Sequence, residues 1–358
     1  MTTLLVGTTD GAHLFEEKKG GWKKVRSFLK GESVNHFAVD SKSGKIYAAT
    51  TTDGLFISKD KGRTWKRSGN GLHIKRIWTI ALHPKNPKIV LAGTHYGHIF
   101  KSLDGGDTWT DMESLYTAPG RKDWGIDWGY GTAGHTMHTI LYDPAVKGRI
   151  YIVTSAGGAY RSNDDGATWE RIREGTMISC TTYTKDTEQG TVAQHLEQVH
   201  GCTHRLALAP RRGGAAVLYQ QNHCGLFKSE NGGESWADIS GNIRSRHGFP
   251  IAYTNGKKPA VWVIPADQEG QCKKHNSCIK RALEAWRSTD GGARWESFSD
   301  GLPKKAHTCV LRHAMSSGPD GGVYFGTTTG EVYGLESGSD SWIQISKGLA
   351  RVQGVVAS

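Results

Sequence analysis

The chain has 358 residues, with 45 Lys and Arg against 34 Asp and Glu, a net charge of +11, and no apolar stretch long enough to span a bilayer. Its 47 Gly, 12 Trp and 10 Pro describe short strands joined by tight turns. Basic residues are dispersed, without the stripe and aromatic interleaving of a nucleic-acid surface, and six cysteines are too few for a disulfide scaffold.

The opening MTTLLVGTTDG lacks the basic and extended apolar regions of a secretion signal, so a cytoplasmic protein is expected, with no membrane and no nucleic-acid partner. Positive charge suits a small anionic substrate or an acidic partner.

Two strands, LLVGTT and AHLFE, lead to FEEKKGGW (15–22), the first and most worn copy of a unit that recurs along the chain. Clear copies follow at SKDKGRTW (58–65), SLDGGDTW (102–109) and SNDDGATW (162–169). SENGGESW (229–236) and STDGGARW (288–295) are slightly degraded, and LESGSDSW (335–342) is again worn. In each unit the Asp side chain accepts N–H bonds within its own turn and Gly supplies a left-handed position. The Trp is expected to plug the turn back against its own sheet.

The segments between units repeat as well. Before and after Trp109 come IWTIALHP, KIVLAG, HIFKS and WTDM, which read as strands A to D of one blade. MHTILYDP, RIYIVT, AYRS and WERI give the next, and THRLALAP, AVLYQQ, LFKS and WADI the one after. Period-2 patterns between Gly and Asp turns at this spacing predict four-stranded blades. Excess length is confined to insertions at about 113–136, 173–202 and 266–283. The first unit is preceded by only two strands, and the tail RVQGVVAS can supply the missing innermost one. The expectation is an all-β, seven-bladed β-propeller over 1–358 as a single domain, closed by pairing of its N- and C-terminal strands.

In such a ring the D–A connections and B–C turns share one face, and all three insertions fall there. The slot at the start of each strand A holds Asn35, Trp78, His138, His204, Phe249 and Thr308, with Gln353 from the closing strand. The B–C slot occupied by Thr9, Thr52, Ser155 and Thr328 holds His95 and, within QQNHCG (220–225), His223. Imidazole suits Zn, Fe or Cu, and three His with one open position make a catalytic metal site. His138, His204 and His223 are therefore the expected ligands of a divalent transition metal (Zn, Fe, Cu or Mn), with His36, His135 and His200 as further candidates and Cys202 nearby. The opposing reading is a metal-free polar channel.

Glu197 and Asp127 are the candidate catalytic carboxylates, and Asn35, Trp78, His95, Trp128, Gln221 and Asn222 the candidate substrate contacts. RKDWGIDWGYG, with Asp123, Trp124, Trp128 and Tyr130, reads as a stacking lid or as a plug of its own aromatics. Cys272, His275 and Cys278 in QEGQCKKHNSC leave metal, disulfide and thiol readings open. Arg205 should point away from His204, with no role assigned. The leading expectation is a metal-dependent hydrolase or lyase on a small polar or anionic substrate. The alternatives are a metal-free binding or assembly scaffold on the basic face, and a glycoside hydrolase using the lid carboxylates.

The repeated S-x-D-x-G-x-T-W resembles the Asp-box (BNR) repeat, which marks the outer hairpin of propeller blades in sialidases, xyloglucan-cleaving glycosidases, sortilin-type receptors and a photosystem II assembly factor. No Arg-Ile-Pro motif is present, which argues against a sialidase. VNHFAVD (34–40), MHTILYD (137–143), CTHRLAL (202–208) and QQNHCG resemble a set of bacterial single-domain Asp-box proteins often labelled sialidase-like or glycosyl hydrolase-like. That set departs from this chain in having Lys at the position of Arg205 and shorter insertions, and it implies the location of a site without a reaction.

Overall fold

Alternating apolar residues between Gly- and Asp-rich turns fold the chain into seven antiparallel sheets of four strands each, arranged as a β-propeller. The computed structural model describes residues 2–124, 136–155, 157–176, 202–211, 213–256, 258–267 and 279–358. The innermost strands A, from blade one to blade seven, are Val352–Ala357, Val34–Val39, Ile77–Leu82, Met137–Tyr142, Thr203–Ala209, Gly248–Thr254 and Met315–Ser317. Each touches the next around the axis, and the last touches the first. Val352–Ala357 pairs antiparallel with Thr3–Thr8, so the two ends of the chain complete one sheet and leave no open inner edge.

The repeated turns have the geometry their composition dictates. Asp164 accepts the Thr168 N–H at 2.8 Å and the Ser162 and Thr168 hydroxyls at 2.8 and 2.6 Å, while Gly166 takes φ +89°. Those bonds, Thr168 first, hold its carboxyl down at about 2. Asp60 and Asp104 are held lower still by the same set of donors.

The tryptophans do not close on their own sheets. The indole N–H of Trp109 in blade three reaches the Ser68 hydroxyl of blade two at 2.9 Å. Trp236 donates to the Ile172 carbonyl of the preceding blade at 3.1 Å, Trp295 to Ile239 at 2.7 Å and Trp342 to Phe298 at 2.7 Å. In each of these four blades the turn meets the neighbour's chain at the end of its strand D. Each Trp is thus a staple between blades, and the apolar clusters fill the same gaps: Trp236 packs with Tyr151, Val153 and Ile172 of one blade and Leu218 and Phe227 of the next. Gly175, at φ +86°, lies so close under this staple that a Cβ would meet the Trp236 carbonyl oxygen at 2.1 Å.

In blades one to four and in blade seven the B–C turn is bonded to the residue entering strand A, so both belong to one end of the ring. His95 N–H donates to the Arg76 carbonyl, Ser155 to Thr136, Thr328 to Cys309 and Thr9 to Arg351. In blade two the residue in this register is Thr51, bonded to Ser33, one place before the Thr52 expected.

Candidate functional site: a histidine-lined channel mouth

Strand A departs from regular pairing at the channel mouth. The register skips Asn35, Trp78, His138 and His204 in blades two to five, and Gln353 in blade one. In blade six the irregularity spans Phe249 and Pro250. A bulged residue leaves the pleat and is re-aimed, which makes the slot read from sequence a real structural position.

Blade seven differs. Thr328 N–H bonds the Cys309 carbonyl and Gly326 N–H bonds Ala314, so Val310, Leu311, Arg312 and His313 occupy the place that Val34 and Asn35 fill in blade two. Thr308 is not in the slot: it forms an isolated bridge with Ile279. The longer bulge instead carries Arg312 and His313 inward. His313 crosses the channel and donates its Nε2–H to the His138 carbonyl at 2.6 Å, and its ring lies 4.6 Å from that of His36.

Around the mouth, ligand atoms of Cys202, His204 and His223 lie within 4.8 Å of one another. His204 is fully buried, and its Nδ1 lies 2.6 Å from the Gly248 carbonyl oxygen. A carbonyl only accepts, so the ring proton is on Nδ1 and the Nε2 lone pair, which has no hydrogen-bond partner, faces the cluster. The His204 ring is 4.4 Å from His223, 5.7 Å from His247 and stacked on Phe249 at 4.8 Å. The Arg312 guanidinium lies 4.8 Å over the Phe249 ring, with its Nε buried and unbonded. Burial, then the neighbouring charges including Arg312, holds His204 and His223 neutral, well below the usual imidazole range. Burial also brings His247 down to about 4.

His138 is not a member of that group. Its Nε2 hydrogen-bonds the Ser155 hydroxyl at 3.0 Å, and its ring is 6.1 Å from Trp78. Cys202 takes the third place that spacing assigned to His138. Trp78 is half-buried beside His138, and His95 bonds Thr136 Oγ1 at 2.9 Å through Nδ1. Beside it Tyr96 stands 53% exposed with φ 73°, a strained left-handed position at the rim. Asn35 is buried with its amide nitrogen unbonded.

QQNHCG holds itself together with its amides. Gln221 Nε2 serves the carbonyls of Asn222, Gly225 and Arg246 at 2.8 to 3.1 Å, and Asn222 Oδ1 accepts the Cys224 N–H at 2.8 Å. Both side chains are buried, so they shape the turn that carries His223 and present little to a substrate. Cys224 is disulfide-bonded and its carbonyl accepts Arg246 Nε at 2.9 Å.

A second chamber, open along its edge at exposed Pro84, lies between the A strands of blades two to five. It is a cavity of about 240 Å³ lined by His36, Thr79, Leu82, Thr139, Tyr142 and Arg205, among others. His36 accepts the Ile80 N–H at 3.2 Å through Nδ1. Burial, with Arg205 second, lowers it to about 3.

Asp127, Glu197, Trp128, Tyr130, His135 and His200 lie outside the described residues, as do Cys272, His275 and Cys278. Trp124 matches the plug reading: it is 4% exposed, packs with Leu115 and Met137, and donates to Tyr160 Oη at 2.7 Å. Sequence reasoning missed Arg312, His313 and His247. The first two sit in LRHAM, where the extra bulge residues displaced the slot, and His247 lies just before the strand Gly248–Thr254, outside the compared slot at Phe249.

No protein-family model matches the chain. A xyloglucanase of Hypocrea jecorina (strain QM6a) is 22% identical over 294 residues, 75% of this chain and 32% of that protein. The GH74 xyloglucanase from Xanthomonas campestris superimposes with a TM-score of 0.60 at 14% identity, over 87% of this chain and 45% of its own. YCF48 from Cyanidioschyzon merolae gives 0.56 at 13% identity, covering 92% of this chain and 91% of its own. The chain is a seven-bladed β-propeller similar to both. It spans about a third of the length of the curated xyloglucanase. Identities this low carry the fold, while chemistry has to be argued from the site.

Proposed function

We propose that this propeller is a hydrolase working at the channel mouth, with a divalent transition metal held by Cys202, His204 and His223 and a small anionic substrate drawn in by Arg312. The observation that carries the reading is the His204 Nε2. It is fully buried, unbonded and fixed by the Nδ1–H bond to Gly248, beside two further metal-ligating side chains. Donation of the second ring proton to a carbonyl is the usual way a protein orients a ligating imidazole.

Thiolate with two imidazoles favours Zn or Cu and disfavours Mn, and three protein ligands leave a position open for water or substrate. At Zn–S and Zn–N lengths near 2.3 and 2.1 Å, the ligand atoms would draw in by about 1 Å. The metal would supply Lewis acidity there. Distant kinship with xyloglucanases supports hydrolysis over lyase chemistry. The Cys224 disulfide supports an oxidising compartment in place of the cytoplasm expected from the opening residues.

The test is metal content of the purified protein by plasma mass spectrometry. About one equivalent is expected in the wild type and in His138→Ala, and less than about a tenth in His204→Ala and His223→Ala. Less than a tenth in the wild type after incubation with zinc would sink the metal reading. Turnover of a xyloglucan by such metal-depleted protein would carry the second reading, a metal-independent glycoside hydrolase, which the xyloglucanase kinship favours.

A further inference from the structure

The second chamber is donor-rich in a way that nothing at the mouth explains. Arg205 faces it, and among the described residues no carboxylate appears in its lining or among the groups acting on the Arg205 charge. His36 uses Nδ1 as acceptor for the Ile80 N–H, so its proton sits on Nε2. Thr139 accepts the Leu206 N–H at 3.4 Å, which leaves its hydroxyl hydrogen to donate, and Thr79 lies alongside. Leu82, Pro84 and Ile140 make the rest of the wall apolar. Arg205 is partly buried, and a guanidinium drawn even partly out of water is ordinarily paired, because an uncompensated charge there is costly.

We infer that this chamber is a binding site for a small organic anion, whose carboxylate or phosphate group pairs with Arg205 while its body rests on the apolar wall. The volume of about 240 Å³ equals that of roughly eight waters, room for a ligand of about ten non-hydrogen atoms. Arg presents a planar fork that matches both oxyanions. Thr79, Thr139 and the His36 Nε2–H supply further donors. Arg205 directly follows His204 in the bulged strand, so one strand carries an anion anchor into the chamber and a cluster residue to the mouth. The inference stands whether or not a metal occupies that cluster.

Thermal unfolding in the presence of inorganic phosphate and, separately, malonate tests it, with sodium chloride of equal ionic strength as control. At least one anion is expected to raise the wild-type Tm by about 3 °C or more at saturation, beyond the chloride control. Arg205→Met should remove that shift and raise the ligand-free Tm, because it deletes an uncompensated charge; Arg205→Lys should fold and keep part of the shift. Phosphate alone would identify a phosphate ligand, malonate alone a carboxylate. No shift with either anion, or a full shift retained in Arg205→Met, would overturn the site. Metal content of Arg205→Met should equal the wild type, so failure here and failure of the metal reading are told apart.

Discussion

His36 shows how much a single side chain in this channel resists its ordinary behaviour. Burial brings its folded pKa to about 3, against about 6.5 in an unfolded chain. Between those values the unfolded state takes up a proton that the folded state refuses, so its contribution to stability is present above pH 6.5 and declines as pH falls toward 3. The slope is at most about 1.4 kcal/mol per pH unit. A thermal melt series from pH 7.5 to 5.0, above the range where most carboxylates titrate, should show falling Tm, and His36→Gln should flatten the slope. An equal slope in the variant would contradict the assignment.

At the same scale lies the limit of what residue types reveal. Cys202, His204 and His223 were all visible as candidates, but alternation along a strand cannot rank His138 against Cys202. A hydrogen bond to Ser155 and a carbonyl on Gly248 make that choice, and both come from tertiary neighbours.

Among elements, the blade turns carry the stability argument. Trp236 joins blade five to blade four through packing and the bond to the Ile172 carbonyl. Trp236→Phe keeps most of the apolar contact and leaves that carbonyl without its partner, a loss of about 1–2 kcal/mol. Trp236→Ala also opens a cavity and should cost about 3–5 kcal/mol. Urea unfolding midpoints check both; equal midpoints for Phe and the wild type would mean the indole N–H contributes nothing. The turns themselves were legible because Asp, Gly and Thr close them locally. Which sheet the Trp meets was not, because the sequence shows the turn and not the neighbour at its corner. Blade seven failed for a related reason: extra residues between Cys309 and Ala314 break the counting that located the slot in Trp78 or His204.

For the whole molecule, ring closure by Val352–Ala357 against Thr3–Thr8 holds seven otherwise similar sheets around one channel. Repetition made that architecture readable from end to end. The departures from repetition collect at one mouth: the imidazoles of blades four and five, His247 and Phe249 of blade six, and the bulge of blade seven that brings in Arg312. A scaffold that needs only Thr at its B–C turns carries His223 and a disulfide-bonded Cys224 in one of them. The net charge of +11 has an inner counterpart in Arg205 and Arg312, which face the channel without an acidic partner among the described residues.

The claim that chemistry runs at this mouth rests on what Cys202, His204 and His223 hold together. X-ray absorption at the edge of the metal bound to the purified protein tests it most directly. One sulfur and two imidazole nitrogens in the inner shell is the predicted result. A shell without sulfur, or one unchanged in Cys202→Ser, would contradict it.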